Sequence, residues 1–176
     1  MQTSGWPMTE TIEIRLGRGF HRLMEFLDGW LSSSSAGGLA AQQAWTARLL
    51  APFALTQAEQ RQVCEAVLRV LGQPSLRSLL VPDRANLEIL VETDCLGPAG
   101  DWLRPDRVLI DHQAQTVTVV DYKWRVLPSE RAGYADQLRR YAEAMASRHC
   151  GYAIQSLVVD AQAGLWILQG DELVHC

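Results

Sequence analysis

The hydrophobic rhythm of this chain changes once, near residue 86, and that change limits what it can fold into. Upstream, apolar residues recur at helical spacing: Phe20, Leu23, Met24, Leu27, Trp30 and Leu31 form one stripe of a helix expected over 17–31. A Ser/Gly segment, 32–38, reads as a loop, and a second helix is expected over 39–50, stopping near Pro52. Thr56 and Glu59 form a capping box that opens a third helix; Val63, Ala66, Val67 and Val70 mark its buried face and Gly72 its end. A short helical turn is expected at 76–80. Downstream, segments 86–93, 104–111 and 115–123 are rich in Val, Ile, Leu and Thr and read as strands. Residues 97–100 read as a loop and 111–115 as a hairpin turn. Helical spacing returns over 129–148, with Leu138, Tyr141, Ala142 and Met145 on one face, and strands at 152–159 and 165–168 follow. Residues 1–16 are expected to form a loose arm and 17–176 one domain, with 17–81 mainly helical and 86–176 an αβ core. This order predicts an α/β fold: a central mixed β-sheet flanked by helices, with an N-terminal helical segment.

Composition removes several function classes. A chain of 176 residues, 48% hydrophobic and 20% charged, buries a core without disulfides or metal staples. No run of about 20 apolar residues suggests a transmembrane helix, and no basic segment followed by an apolar one suggests a signal peptide. Cys64, Cys95, Cys150 and Cys176 form no CxxC pair, which argues against a zinc ribbon or iron–sulfur run and fits reduced thiols in a cytoplasmic protein. No phosphate-cradling G-x-x-x-x-G-K-[ST] is present. The net charge of −4 argues against a protein that coats nucleic acid, but not against an enzyme with a basic groove. Between Arg104 and Arg148 the basic residues outnumber the acidic ones, eight to six.

One count is more pointed. Of 16 basic residues 15 are arginine, and the lone lysine is Lys123. Arginine is a wide, permanently charged fork; lysine is a compact charge with a tunable pKa. Lys123 stands two residues after Asp121, so the two side chains share one face of a strand. A hairpin would bring Asp121 beside Asp106 on the preceding strand. Two carboxylates so close are costly unless a cation lies between them, and Mg²⁺ takes one or two carboxylates while keeping coordination positions for substrate. An ammonium beside them can orient water or stabilise an anion forming on phosphorus. On 129–148, Gln137 and Tyr141 are spaced i, i+4 and lie one above the other.

Pro105-Asp106, followed by Asp121-Tyr122-Lys123, resembles the core motif of the PD-(D/E)XK nucleases. More narrowly, the chain resembles the RecB/AddA-type nuclease module of UvrD-like helicases over about 17–168. Gly17 to His21 resembles that group's leading G-x-x-x-H helix, and Gln137 to Tyr141 its Q-x-x-x-Y helix. Asn86-Leu87-Glu88 lies where the group carries a first-strand acid; Glu92, also on that strand, is the alternative to Glu88. Trp124 departs from the Ser or Thr usual after the lysine. The resemblance implies a restriction-endonuclease-like core and metal-dependent DNA cleavage. It implies catalytic roles for Asp106, Asp121, Lys123 and Glu88. Mg²⁺, or Mn²⁺ in its place, would be held by His21, Asp106, Asp121 and the Tyr122 carbonyl. Gln137, Tyr141, Arg107 and Arg125 would contact substrate phosphate. It further implies exonuclease action at DNA ends in recombinational repair, on single-stranded ends delivered by a UvrD-like helicase in cis or in trans, with no membrane involved. A related module that had lost its acids would act only as a docking domain; here the acids and lysine are intact.

Overall fold

The computed structural model of the protein describes residues 11–82 and 87–176. Helix α1 (Ile12–Glu25) opens on Thr11, whose hydroxyl accepts from the Ile14 N–H. Residues 12–16 are therefore helical rather than part of an arm; residues 1–10 lie outside the described residues, as does Asn86. The chain breaks at Phe26 and continues as α2 (Leu27–Leu50). The loop expected at 32–38 is largely helical, with the break confined to Gly38 at φ 68° and ψ −166°, a conformation open to glycine. The serines do not end the helix, because Ser33 and Ser35 donate back to the Trp30 and Leu31 carbonyls. A 3-10 turn (Ala51–Phe53) holds Pro52. Helix α3 (Gln57–Gly72) has both halves of the Thr56/Glu59 capping box, and α4 (Pro74–Leu80) follows.

Among the described residues there are eight strands: β1 (Leu87–Val91), β2 (Cys95–Leu96), β3 (Trp102–Leu103), β4 (Arg107–Asp111), β5 (Thr116–Lys123), β6 (Ala153–Asp160), β7 (Leu165–Gln169) and β8 (Glu172–His175). Six form one mixed sheet in the order β1-β4-β5-β6-β7-β8. The β5–β6 pair is parallel, and α5 (Arg131–Arg148) makes the crossover between them; the other neighbours are antiparallel. β2 and β3 form a separate small hairpin around the loop expected at 97–100; they and β8 are strands for which no expectation was set.

The sheet separates two apolar layers. Leu109, Val120, Tyr122, Leu157 and Val159 pack with the α1–α4 layer, where Phe20, Leu23 and Met24 are fully buried. Val108, Ile110, Val117, Val119 and Val158 pack against α5 through Leu138 and Tyr141. This is the helix-flanked mixed sheet of a restriction-endonuclease-like fold. Strand alternation carries the row of Val117 and Val119 on to Asp121 and Lys123, so the α5-facing side of β5 ends in a carboxylate and an ammonium. Among the described residues no helix is long and apolar enough to cross a membrane.

Candidate active site

β4 and β5 pair with Arg107 opposite Val120, which sets Asp106 beside Asp121 at the end of the hairpin. The Tyr122 N–H donates to Asp106 Oδ2 at 2.6 Å, fixing the carboxylate on the sheet end. Its other oxygen is 2.8 Å from His21 Nε2. His21 projects from α1, one residue beyond the buried Phe20, and its ring meets Tyr122 edge-on. Glu92 follows the last residue of β1. Its N–H donates to the Asp106 carbonyl and its φ is +50°, so it leaves the strand alternation. Glu92 Oε1 lies 3.1 Å from the same His21 Nε2. One ligand atom from each of His21, Glu92 and Asp106 falls within 4.8 Å of the others.

Asp121 is 1% exposed. Lys123 Nζ is 2.5 Å from its Oδ2 and sits over the Tyr134 ring at 5.0 Å. Across the layer, Gln137 Nε2 donates to Asp121 Oδ1 at 3.3 Å and to the Tyr141 hydroxyl at 2.7 Å. Tyr141 donates in turn to the Arg104 carbonyl at 3.1 Å. The i, i+4 pair on α5 thus ties Asp121 to the chain that leads into Asp106.

The site is crowded with acids. Burial, and then the Asp106 carboxylate, push Asp121 up to about 6, against the pull of Lys123 and His21. Burial also raises Glu92, with Asp106 and Glu25 adding to it and His21 opposing. For His21, burial works to lower the pKa, but the Asp106 hydrogen bond and the charges of Asp106, Glu92 and Asp121 outweigh it and hold the ring above its ordinary value. Burial raises Tyr141 to about 12, which keeps it a neutral donor. Glu92 Oε1 is buried, and its one close polar neighbour is the His21 imidazole 3.1 Å away. Two carboxylates converging on one imidazole fit a divalent cation. A groove of about 630 Å³ opens on this point, lined by His21, Glu92, Arg104, Lys123 and Trp124.

Two expected residues, Glu88 and Arg107, lie away from this cluster, and Arg125 lies at its rim. Glu88 is not at the site: half exposed, it pairs with His112 at 3.0 Å, and its β4 neighbour is Ile110. β1 runs antiparallel to β4, so the acid that reaches Asp106 must come from the end of β1, where Glu92 stands. Arg107 is 1% exposed; it donates to the Leu80 carbonyl at 3.0 Å and cannot meet substrate. Arg125 is at the rim, exposed and paired with Glu13 at 2.7 Å. Trp124 packs edge-on against Phe20 and forms part of the groove wall. Arg104, which lines the groove while paired with Asp94, was not singled out; its closeness in sequence to Pro105-Asp106 was the available signal.

Residues 3–174 match the family model of the PD-(D/E)XK nuclease superfamily. A search of curated proteins finds no match.

Proposed function

The chain belongs to the PD-(D/E)XK nuclease superfamily, and from that premise we propose that it is a divalent-metal-dependent deoxyribonuclease acting at DNA ends. The observation that carries this is the cluster of His21, Glu92 and Asp106 beside the Asp121–Lys123 pair. His21, Asp106, Asp121 and the Tyr122 carbonyl, with Glu92 in the place expected of Glu88, would hold Mg²⁺, or Mn²⁺ in its stead. Such an ion supplies charge neutralisation at the phosphate and at the leaving oxygen.

The chain's own residues do the rest. Lys123 presents a compact ammonium held between Asp121 and the Tyr134 ring, where it orients water and offsets charge growing on phosphorus. Gln137 fixes the Asp121 carboxylate, and Tyr141 fixes Gln137. Hydrolysis forms a bond from water oxygen to phosphorus and breaks the bond to the sugar 3′-oxygen, which takes up a proton; the product carries a 5′-phosphate. The Gln137–Tyr141 pair supports the RecB/AddA-like form of this activity, processing ends in recombinational repair. In that form single strands arrive from a UvrD-like helicase in cis or in trans. The free thiols of Cys64, Cys95, Cys150 and Cys176 support a cytoplasmic setting.

The test is cleavage of end-labelled single- and double-stranded DNA by wild type and Asp121→Ala, with Mg²⁺, with Mn²⁺ and with chelator. Metal-dependent cleavage lost in the variant is expected. A folded wild type that cuts nothing and binds no metal would refute the proposal.

A further inference from the structure

The hairpin of β2 and β3 leaves the sheet at Glu92 and returns at Asp106, so its two feet are two members of the acidic cluster. The Glu92 N–H to Asp106 carbonyl bond closes it at the base. At its tip Trp102 is 76% exposed, and its register partner Leu96 is 56% exposed on the same outward face. An indole left so open on a small protein carries a cost in water that burial against a partner would remove.

The hairpin is held rigidly. Asp101 is bonded to Arg140 of α5, and its carbonyl accepts from the Gly97 N–H. Cys95 and Leu103, the inward residues, are buried against the α5 layer. A Cβ at Gly97 would lie 2.6 Å from the Asp101 carboxylate and 2.9 Å from Leu103, so a side chain there would push both aside. The indole is thus fixed in position rather than carried on a loose loop.

Beside Trp102 is a hollow of about 470 Å³ lined also by Asp94, Leu96 and Arg148. Among the described residues Arg148 is exposed and has no carboxylate partner, whereas Arg104, Arg125, Arg139 and Arg140 are all paired. The hollow adjoins the active groove: Arg104 lines the groove, and its partner Asp94 lines the hollow. Three residues separate Trp102 from Asp106, so four residue steps span at most about 14 Å, or on the order of four nucleotides stacked at 3.4 Å.

We propose that Trp102 is a stacking platform for an unpaired base of the DNA strand, a few nucleotides from the cleaved bond, with Arg148 on the adjoining phosphate. The occupant is single-stranded DNA because a flat, exposed aromatic beside an unpaired guanidinium matches a base and its phosphate. Inside a duplex a base is stacked on both faces and offers none. The proposal rests on the nuclease reading and adds to it the residues outside the acidic cluster that grip the strand.

The test compares wild type, Trp102→Ala, Trp102→Phe and Arg148→Ala. Anisotropy of a labelled single-stranded oligonucleotide in chelator reads binding, and cleavage in Mg²⁺ reads KM and kcat. Trp102→Ala should weaken binding and raise KM roughly 5- to 150-fold, with Trp102→Phe within about threefold of wild type. Abasic sites in the oligonucleotide should bring wild type down to Trp102→Ala, and Arg148→Ala should lower the salt slope by about one. Because the indole is exposed, melting temperatures should match. Trp102→Ala binding and cutting like wild type overturns the platform, leaves the nuclease reading intact and assigns the patch to a protein partner. A wild type that neither binds nor cuts DNA overturns both.

Discussion

Glu92→Gln and Glu88→Gln should part company in both sign and size. Glu92 Oε1 is 3.1 Å from His21 Nε2 and within 4.8 Å of an Asp106 oxygen. At an effective dielectric of about 20, the attraction to a protonated His21 is about 5 kcal/mol and the repulsion from Asp106 about 3.5 kcal/mol. The two side chains at the contact are 33% and 24% exposed, so screening by solvent reduces each figure by about half. His21 is held above its ordinary value, so it is charged at pH 6 and loses its charge as pH rises through that raised pKa. Its contribution to stability is present below the ordinary histidine value and is lost over the same rise. Burial and Asp106 outweigh His21 at Glu92, so in chelator Glu92→Gln should stabilise the fold, and the gain should grow as pH rises and His21 loses its charge. With metal the sign reverses at high pH. Saturating metal at 100 times its Kd stabilises wild type by about 2.7 kcal/mol, and loss of one ligand should weaken affinity tenfold or more. Glu88 pairs with His112 on the surface, so Glu88→Gln should stay within about 0.5 kcal/mol throughout. Urea titrations at the two pH values, with chelator and with Mn²⁺, read all of this. Metal stabilisation lost in Glu88→Gln and kept in Glu92→Gln would refute the assignment, and a chelator effect that did not grow with pH would refute the charge argument.

Lys123→Arg should lower kcat by about 100-fold or more with little change in melting temperature, since the wider fork cannot keep the position between Asp121 and the Tyr134 ring; steady-state cleavage with a thermal melt checks both. Arg107→Met should be between neutral and about 2 kcal/mol more stable. Arg107 Nε and Nη2 lack partners, and Asp28, 3.9 Å away, is exposed enough to regain water. DNA affinity and its salt slope should not move, and a weaker slope would restore Arg107 as a phosphate contact. The Thr56 N–H, then the Arg15 guanidinium, hold Glu59 below the usual carboxylate range. Its contribution is present above the ordinary glutamate value and lost as pH falls through the lowered one. The urea midpoint of wild type should therefore fall more steeply on acidification below about pH 5 than that of Glu59→Gln.

The parts of the fold legible in the sequence are those fixed by local chemistry. The Thr56/Glu59 box opens α3 and Gly72 closes it, as the residues alone predict. The β4–β5 hairpin follows from two apolar segments about a polar turn, and Asp121 and Lys123 share a face because strand alternation requires it. Local chemistry misled over 32–38, where serine hydroxyls bond back into α2 and only Gly38 breaks it. It was also silent on Arg107. The family resemblance made Arg107 a phosphate contact, and only the packing of α4 against the sheet shows that the Leu80 carbonyl holds it inside. Short strands such as β2, β3 and β8 carry too few residues for a period to show.

The error over Glu88 has a more general cause. Alternation assigns faces only while the backbone stays extended, and this site is assembled where strands end. Glu92 lies one residue beyond β1 at φ +50°, so its side chain is aimed by the turn and not by the pleat. What fixes it is the N–H to Asp106 carbonyl bond at the foot of the inserted hairpin. The same bond sets the separation of the two acids and the root of the Trp102 arm. A sequence rule that extends the strand by one residue places Glu88 and Glu92 on a common face. The fold instead leaves one at the surface with His112 and turns the other into the cluster. The hairpin between Glu92 and Asp106 is thus more than a tolerated insertion: its closed base aims both carboxylates, and loosening it should disturb the cluster before it disturbs the sheet.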